Sequence, residues 1–279
     1  MRAHLLLLLV LVACNNHSKS TSNKPKPTTP PVTPAPERPT PSPQIPETSP
    51  PAPPEQRPEA PRVRPEEVNV INDLKPTMYY VAQEEDTSCA GRYRGETFNG
   101  SEKKAVRDLQ GRVLATVCAR FGKVMDMEGT AILRDRGQGP VTLNFAGRVN
   151  GEIRYREMDR CKFGEGVRPN LCLLPYHTIA ADNTVHKIDE IIFIPDAVGL
   201  ALPDGSTHEG FFIVRDTGGA FNGIGPQRID LFTGLDRDLD NVFSRAGFNH
   251  NRPMEAFKVK GVSADIIRER LKVKFGDLY

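Results

Sequence analysis

The sequence lacks both a second long apolar run and a large excess of one charge. The N-terminal run Leu5–Val12 holds eight residues, whereas a helix that crosses a membrane needs roughly 20. Lysine and arginine total 37 and aspartate and glutamate total 35, so the net charge is +2. Proteins that bind nucleic acid usually concentrate positive charge. We therefore expect neither a transmembrane helix nor a nucleic-acid partner.

Cysteine is scarce, with five residues and no CxxC pair. Without that spacing we expect no metal site, and the sequence predicts no cofactor. Cys14 belongs to the N-terminal segment, and the remaining four form an even number, which predicts two disulfides in an exported protein. Four cysteines allow three pairings. We favour Cys161–Cys172, which closes a short loop, and Cys89–Cys118, which closes a longer one.

The N terminus has the pattern of an export signal over residues 1–13. Arg2 and His4 precede the apolar run, which fits the h-region of a secretory signal. The run ends in Leu-Val-Ala-Cys, which resembles the bacterial lipobox and implies that Cys14 becomes a lipid-modified N terminus held in the membrane. The alternative is an ordinary signal peptide with a chance cysteine. Asn15 in place of aspartate favours the outer membrane, with the protein facing the periplasm.

Residues 14–65 are predicted to form a disordered, proline-rich tether. Seventeen of the 25 prolines fall between Asn15 and Pro65, and the segment has no aromatic residue. Such a composition cannot bury enough apolar surface to offset the entropy of the chain. Proline-rich linkers extend by about 3.1 Å per residue, so this one reaches on the order of 150 Å. A ligand tract for a proline-recognition domain is the alternative.

The folded part is predicted to span residues 66–279, either as one large domain or as a barrel with a preceding subdomain. Apolar spacing predicts a helix within Glu102–Val117. Later in the chain, short apolar runs alternate with turn residues, which indicates a barrel or sandwich. These runs are 129–133, 141–145, 191–194 and 210–214. Near the end we expect a helix over Ala264–Arg270 and then a strand over Leu271–Phe275.

The densest chemistry lies between Gly210 and Gly234. An apolar run delivers Asp216 into a Thr-Gly-Gly turn, and a second short run carries Asp230. Glycines permit tight turns and close backbone approach. The pattern therefore predicts two carboxyl groups held at strand ends around a loop of small residues, as an acid-base site requires.

This stretch resembles the three-aspartate (3D) domain of the membrane-bound lytic transglycosylase A family. The family pattern is an Asp-x-Gly-Gly-Ala turn followed by a basic-apolar-Asp-apolar-aromatic strand, matched here by 216–220 and 228–232. Asp196, after a proline, is the best match for the first aspartate of the three. The resemblance implies a mainly β chain with a double-psi β-barrel, a few peripheral helices, and peptidoglycan glycan strands as the partner.

The resemblance also implies roles. Asp230 would protonate the glycosidic oxygen between MurNAc and GlcNAc and then take a proton from the MurNAc 6-hydroxyl, which leaves a 1,6-anhydro end. Asp216 would orient the site or stabilise charge. Substrate contacts would come from Thr217, Gly218, Gly219 and Arg228.

The sequence departs from the family pattern in the spacing of its last two aspartates, which is fourteen here and about eleven in the family. Three other interpretations stay open. Glu128 can supply a second acid, which would permit hydrolysis as in lysozyme. The barrel can be a noncatalytic glycan-binding module. Asp216-Thr217-Gly218 also matches the aspartic-protease triplet, although that chemistry needs two such aspartates.

Overall fold

The computed structural model describes residues 68–235 and 241–279. The predicted signal segment, Cys14 and the proline-rich tether lie outside the described residues. Among the helices that are described, none combines the length and the apolar character needed to cross a membrane.

Most of the described elements are strands. In chain order the strands are β1 Val68–Tyr79, β2 Ala82–Gln83, β3 Ala90–Tyr93, β4 Glu96–Asn99, β5 Lys103–Arg107, β6 Val113–Cys118, β7 Thr130–Leu133, β8 Val141–Val149, β9 Glu152–Glu157, β10 Thr178–Ala181, β11 Ile191–Phe193, β12 Phe211–Asp216, β13 Arg228–Phe232 and β14 Met254–Val259. The helices are α1 Ala119–Glu128, α2 Val242–Arg245 and α3 Gly261–Phe275, with short 3-10 turns at Pro195–Ala197 and Gly276–Leu278.

Six strands close into a barrel in the order β1-β13-β10-β12-β11-β14. The pairs β1–β13 and β10–β12 are parallel, and the other neighbours are antiparallel. Side chains that alternate along these strands fill the barrel, including Ile179, Ile192, Val214, Ile229 and Leu231, each fully buried. This arrangement confirms the expected mainly β chain with a double-psi β-barrel and few helices.

A second group of elements precedes the barrel strand β10. Strands β2, β7, β8 and β9 form a sheet in that order, beside the hairpins β3–β4 and β5–β6. Helix α1 packs on them through Phe121 and Met125, which are both fully buried. The disulfide Cys89–Cys118 links β6 to the chain just before β3, with its Cα atoms 5.6 Å apart. The pair Cys161–Cys172 is also present, with its Cα atoms 5.0 Å apart, so the structure contains both predicted pairs.

Two secondary-structure predictions are wrong. The stretch Glu102–Val117 forms the β5–β6 hairpin rather than a helix, because a turn interrupts it. Asp108 Oδ1 accepts hydrogen bonds from the backbone N–H groups of Gln110 and Arg112, and Gly111 has a φ of 83°. At the other end of the chain, Leu271–Phe275 continues α3 rather than forming a strand. The four predicted β runs all fall on strands, namely β7, β8, β11 and β12.

Candidate active site

The barrel places Asp216 and Asp230 on either side of one residue of β10. Ala180 pairs with Asp216 on the parallel strand β12 and with Asp230 on the antiparallel strand β13. Neighbouring strands lie about 4.8 Å apart, so the two aspartate backbones are separated by roughly 10 Å across β10. The sequence predicts that these carboxyl groups lie close together, and the strand register places Asp216, Ala180 and Asp230 side by side across the three strands. We call Asp216 and Asp230, together with Glu128 described below, the carboxyl row.

Strand alternation directs Asp230 away from the barrel interior. Its neighbours Ile229 and Leu231 are fully buried in the barrel core, and successive strand residues point to opposite faces. On the outer face a separate apolar cluster surrounds the row. It contains Tyr79, Val81, Leu173, Ala180, Phe221 and Phe232. The carboxyl groups therefore lie beside apolar and aromatic side chains rather than in open water.

Glu128 reaches the same place from helix α1, which packs on the preceding sheet. It is the last residue of α1, which ends where Gly129 adopts a left-handed φ of 79° and its N–H bonds to the Met125 carbonyl oxygen. The backbone N–H of Tyr80 donates to Glu128 Oε2 at 3.2 Å. A glutamate that the sequence offered only as an optional second acid thus joins the two aspartates.

The three carboxyl groups line one cavity of about 290 Å³. Thr217, Gly218 and Gly219 line it as well, through the turn that follows Asp216. The other lining residues come from both groups of elements: Tyr79, Asp126, Met127, Gly129, Thr130, Asn144, Phe145, Arg148, Ile153, Glu165, Gly166, Ala180 and Phe221. The cavity is therefore shared between the barrel and the preceding sheet.

Burial raises the pKa of every carboxyl group in this row. Desolvation raises the pKa of Glu128 to about 8, although the Tyr80 N–H opposes it. It raises the pKa of Asp216 to about 7, against the hydrogen bond that Oδ1 accepts from the Thr217 N–H at 2.8 Å. It raises the pKa of Asp230 to about 6, against the positive charge of Arg228. Groups that hold protons near neutral pH are suited to general acid catalysis.

One oxygen of Asp230 is left without a protein partner. Asp230 Oδ1 is buried and has no hydrogen-bond partner among the described residues, whereas the buried Tyr79 hydroxyl lies close to the carboxyl group of Asp216. Burial raises the pKa of Tyr79 well above its usual value, and the charges of Asp216 and Asp230 raise it further. Buried polar groups are normally hydrogen-bonded. Asp230, which lines the cavity, is therefore not committed to a protein hydrogen bond through its Oδ1 atom.

The loop that joins Asp216 to Asp230 is fixed at its base by Asp182, just after β10. The Gly225 N–H donates to Asp182 Oδ2 at 3.0 Å, and this bond is the first cause that lowers the Asp182 pKa to about 2. His186, which is fully buried, contacts the Pro226 carbonyl oxygen through Nε2 at 3.2 Å and Glu190 through Nδ1 at 3.0 Å. These contacts hold the longer loop of this chain in place.

Two residues nominated from the sequence lie apart from the cavity wall. Asp196 forms an exposed ion pair with Arg252 at 2.9 Å, and it does not line the cavity. Arg228 lies over the Phe221 ring at 5.6 Å and acts on Asp230 through its charge. Among the residues that the structure describes, the upstream aspartate that contacts the aspartate loop is Asp182.

Apart from Glu128, the sequence analysis did not identify the cavity residues of the region before β10. Tyr79 ends the long strand β1, in a stretch where no motif was found. Asn144 Oδ1 accepts hydrogen bonds from Thr130 Oγ1 at 2.6 Å and from the Glu165 N–H at 3.1 Å. Asn144 is buried in a strand, and an asparagine inside the apolar run 141–145 was the available signal.

A family model for the 3D domain matches residues 177–252. Among solved structures, a membrane-bound lytic murein transglycosylase from Agrobacterium tumefaciens is 14% identical, covers 74% of this chain and 78% of its own, and has a TM-score of 0.43. MltA from E. coli with bound chitohexaose is 14% identical, with coverage of 67% and 71% and a TM-score of 0.39. The lytic transglycosylase LtgG of Burkholderia pseudomallei is 14% identical, with coverage of 69% and 71% and a TM-score of 0.32.

No curated protein matches the chain. The family match runs from β10 through α2, ends just before β14, and includes both Asp216 and Asp230. It agrees with the resemblance inferred from the Asp-Thr-Gly-Gly-Ala turn and the strand that follows. The chain thus carries a 3D domain over residues 177–252.

Proposed function

We propose that this protein is a lytic transglycosylase that cleaves the bond between MurNAc and GlcNAc in peptidoglycan. The observation that carries the proposal is the state of Asp230. This residue belongs to the 3D domain and lines the cavity shared with the preceding sheet. One of its oxygens has no partner among the described residues, and burial raises its pKa to about 6. A carboxyl group in this state can both give and take a proton in the pH range of the cell envelope.

In the proposed reaction Asp230 acts twice. Its protonated carboxyl group donates to the glycosidic oxygen as the bond to C1 breaks. The resulting carboxylate takes the proton of the MurNAc 6-hydroxyl, whose oxygen then bonds to C1. An attacking group on the same sugar needs no bound water and no second carboxylate for its activation. The products are a 1,6-anhydroMurNAc end and a free GlcNAc hydroxyl, and Asp230 regains its proton.

Asp216 and the turn after it would serve this step from β12, on the other side of β10. The Asp216 carboxyl group is held by the Thr217 N–H, and its own pKa of about 7 keeps it partly protonated near neutral pH. A protonated Asp216 adds no full negative charge next to Asp230, and it offers an O–H group to a sugar oxygen. Gly218 and Gly219 line the cavity and have no side chains, so this part of its wall leaves room for a sugar ring.

Hydrolysis is the second candidate, and Glu128 is the observation that favours it. With a pKa of about 8, Glu128 is protonated at neutral pH in the same cavity as Asp230. A protonated carboxyl group and an ionised one on either side of a glycosidic bond form the pair used by hydrolases. In that reaction Glu128 donates the proton, and a water molecule supplies the new hydroxyl at C1.

We also propose that the protein is anchored in the cell envelope through lipid on Cys14 and faces the periplasm, in the outer membrane. The lipobox-like sequence and the residue after it support this proposal. An extended tether of residues 15–65 would then let the enzyme reach glycan strands at a distance from the membrane. Radiolabelled palmitate incorporation by the native chain and its absence in Cys14→Ala would test the anchor.

Digestion of purified peptidoglycan with the full-length chain in detergent tests the reaction. Soluble sugars are analysed by mass spectrometry for the native protein, Asp230→Asn and Glu128→Gln. Anhydro ends from the native protein and from Glu128→Gln, but not from Asp230→Asn, support the transglycosylase. Reducing ends that disappear in Glu128→Gln support the hydrolase. Binding without any product from the native chain supports a noncatalytic module and overturns both.

A further inference from the structure

A second cavity continues the carboxyl-lined cavity toward the β3–β4 hairpin. It measures about 370 Å³ and shares four lining residues with the first, namely Asp126, Met127, Arg148 and Ile153. Met127 at this junction and Phe145 in the wall of the first cavity are apolar and about half exposed, at 51% and 43%. The two cavities therefore form one path, with carboxyl groups at one end and an apolar rim between.

The second cavity is lined by charged groups of both signs, but its acidic groups are already paired. Lys123 Nζ lies 3.0 Å from Glu96 Oε1. Asp126 forms an ion pair with Lys104 and accepts a hydrogen bond from the Tyr155 hydroxyl at 2.8 Å. Each carboxylate of this cavity is therefore neutralised by a neighbouring lysine.

Two arginines that line the second cavity, Arg94 and Arg148, are not paired with a carboxylate. Arg94 Nη1 donates a hydrogen bond to the sulfur of Met127 at 3.5 Å, and Arg148 Nη1 donates to the Gly151 carbonyl oxygen at 3.1 Å. Neither arginine has an ion-pair partner within residues 68–235 and 241–279, and both are exposed. Arg94 is close enough to the catalytic row for its charge to act on Glu128. The planar guanidinium group with several N–H donors is suited to binding a carboxylate.

We propose that Arg94 and Arg148 bind a carboxylate carried by the sugar chain while its glycosidic bond lies at the carboxyl row. This inference rests on the proposed function. In peptidoglycan the lactyl group of MurNAc carries such a carboxylate when it is peptide-free, and the peptide stem carries carboxylates when it is present. Chitin-type oligosaccharides of GlcNAc have none. The pair would thus select MurNAc-containing strands and set which sugar occupies each side of the cleaved bond.

Binding measurements separate this inference from the cleavage reaction. The full-length chain carrying Asp230→Asn, which prevents turnover, is titrated by calorimetry with three oligosaccharides of equal sugar number. One carries peptide stems, one carries only lactyl carboxylates, and one is a GlcNAc oligomer. This parent is compared with a double variant, in which Arg94→Gln and Arg148→Gln are both added to Asp230→Asn. Arg92→Gln is the matched control, since Arg92 is exposed on the same hairpin and lines neither cavity.

The parent is expected to bind a carboxylated oligosaccharide about 10-fold more tightly than the GlcNAc oligomer, as two exposed ion pairs allow. The double variant loses this preference, Arg92→Gln keeps it, and raising the salt concentration weakens it. A preference for the peptide-bearing ligand assigns the stem as the source of the carboxylate, and a preference for the peptide-free ligand assigns the lactyl group. Equal affinities for the two show that the arginine pair binds either carboxylate.

Two results overturn the inference alone while the proposed function stands. One is equal affinity of parent and double variant for all three ligands, and the other is an equal loss of affinity for the neutral oligomer. If the parent binds no glycan at all, the proposed function and this inference fail together.

Discussion

Replacing Asp230 by asparagine is expected to abolish cleavage and at the same time to stabilise the fold. Burial raises the pKa of Asp230 in the folded protein to about 6, whereas its ordinary value is 3.8. The folded state therefore holds the proton to higher pH than the unfolded state does. The stability associated with this group is fully present below about pH 4 and is lost as the pH rises through about 6.

The size of the effect follows from that shift. A pKa difference of about 2 corresponds to about 3 kcal/mol of unfolding free energy at neutral pH, since each pKa unit is worth 1.36 kcal/mol. Asp230 is partly exposed, and solvent screening lowers the expected gain of Asp230→Asn to about 1–3 kcal/mol. For a chain of this size that raises the melting temperature by roughly 2–10 °C.

Thermal unfolding at pH 7.5 and at pH 4 checks this reasoning. The gain of the asparagine variant should be clear at pH 7.5 and should fall to about 0.5 kcal/mol at pH 4, where the native carboxyl group is protonated in the folded state. Asp159→Asn, at an exposed position, is the control for the loss of a charge. A gain that is the same at both pH values, or a loss of stability at pH 7.5, would refute the assignment of Asp230 as a desolvated carboxyl group.

Three further predictions concern the acid, the loop and the wall of the cavity. If Asp230 is the general acid, kcat/KM on peptidoglycan declines about tenfold per pH unit above about pH 6. If the decline begins only near pH 8, the general acid is Glu128. Asp182→Ala should lower kcat by at least about tenfold, because it removes the acceptor for the Gly225 N–H. The control Asp196→Ala breaks only an exposed ion pair and should lower kcat less. A larger loss of kcat in Asp196→Ala than in Asp182→Ala would contradict the role of Asp182 in holding the loop. In Gly166→Ala, the new Cβ would lie 1.9 Å from the Arg215 carbonyl oxygen, so denaturant unfolding should show a loss of about 3 kcal/mol or more.

The sequence was most informative where a short motif and the strand period coincide. The run Ile229-Asp230-Leu231 fixes which residues enter the barrel, because apolar and polar residues alternate along it. The Thr-Gly-Gly turn after Asp216 likewise marks the end of a strand. Both aspartates were therefore placed from the sequence, and the structure brings them to one row beside Ala180.

Long-range contacts account for most of what the sequence did not predict. The first aspartate was assigned to Asp196 because a proline precedes it, but Asp182 contacts the loop through a hydrogen bond between residues 43 positions apart. Tyr79 approaches Phe232 with ring centroids 4.9 Å apart, across more than half of the described chain. No local pattern encodes such pairs. The helix predicted at 102–117 is wrong for a local reason: a short apolar run fits the period of a helix as well as that of a strand. Only the turn at residues 108–111 distinguishes a hairpin from a helix here.

The environment of the carboxyl row comes from both halves of the described chain, and this bears on how the 3D motif acquires its chemistry. The motif itself supplies Asp216 on β12 and Asp230 on β13, the two barrel strands that flank β10. Tyr79 on β1 and Glu128 at the end of α1 lie outside the family match, yet Tyr79 belongs to the apolar cluster around the row and the charge of Glu128 acts on Tyr79. The loop 161–172, closed by its disulfide, adds Glu165 and Gly166 to the same wall. Because desolvation is the largest cause of each raised carboxyl pKa, the acid strength of Asp230 belongs to the assembled cavity rather than to the motif alone.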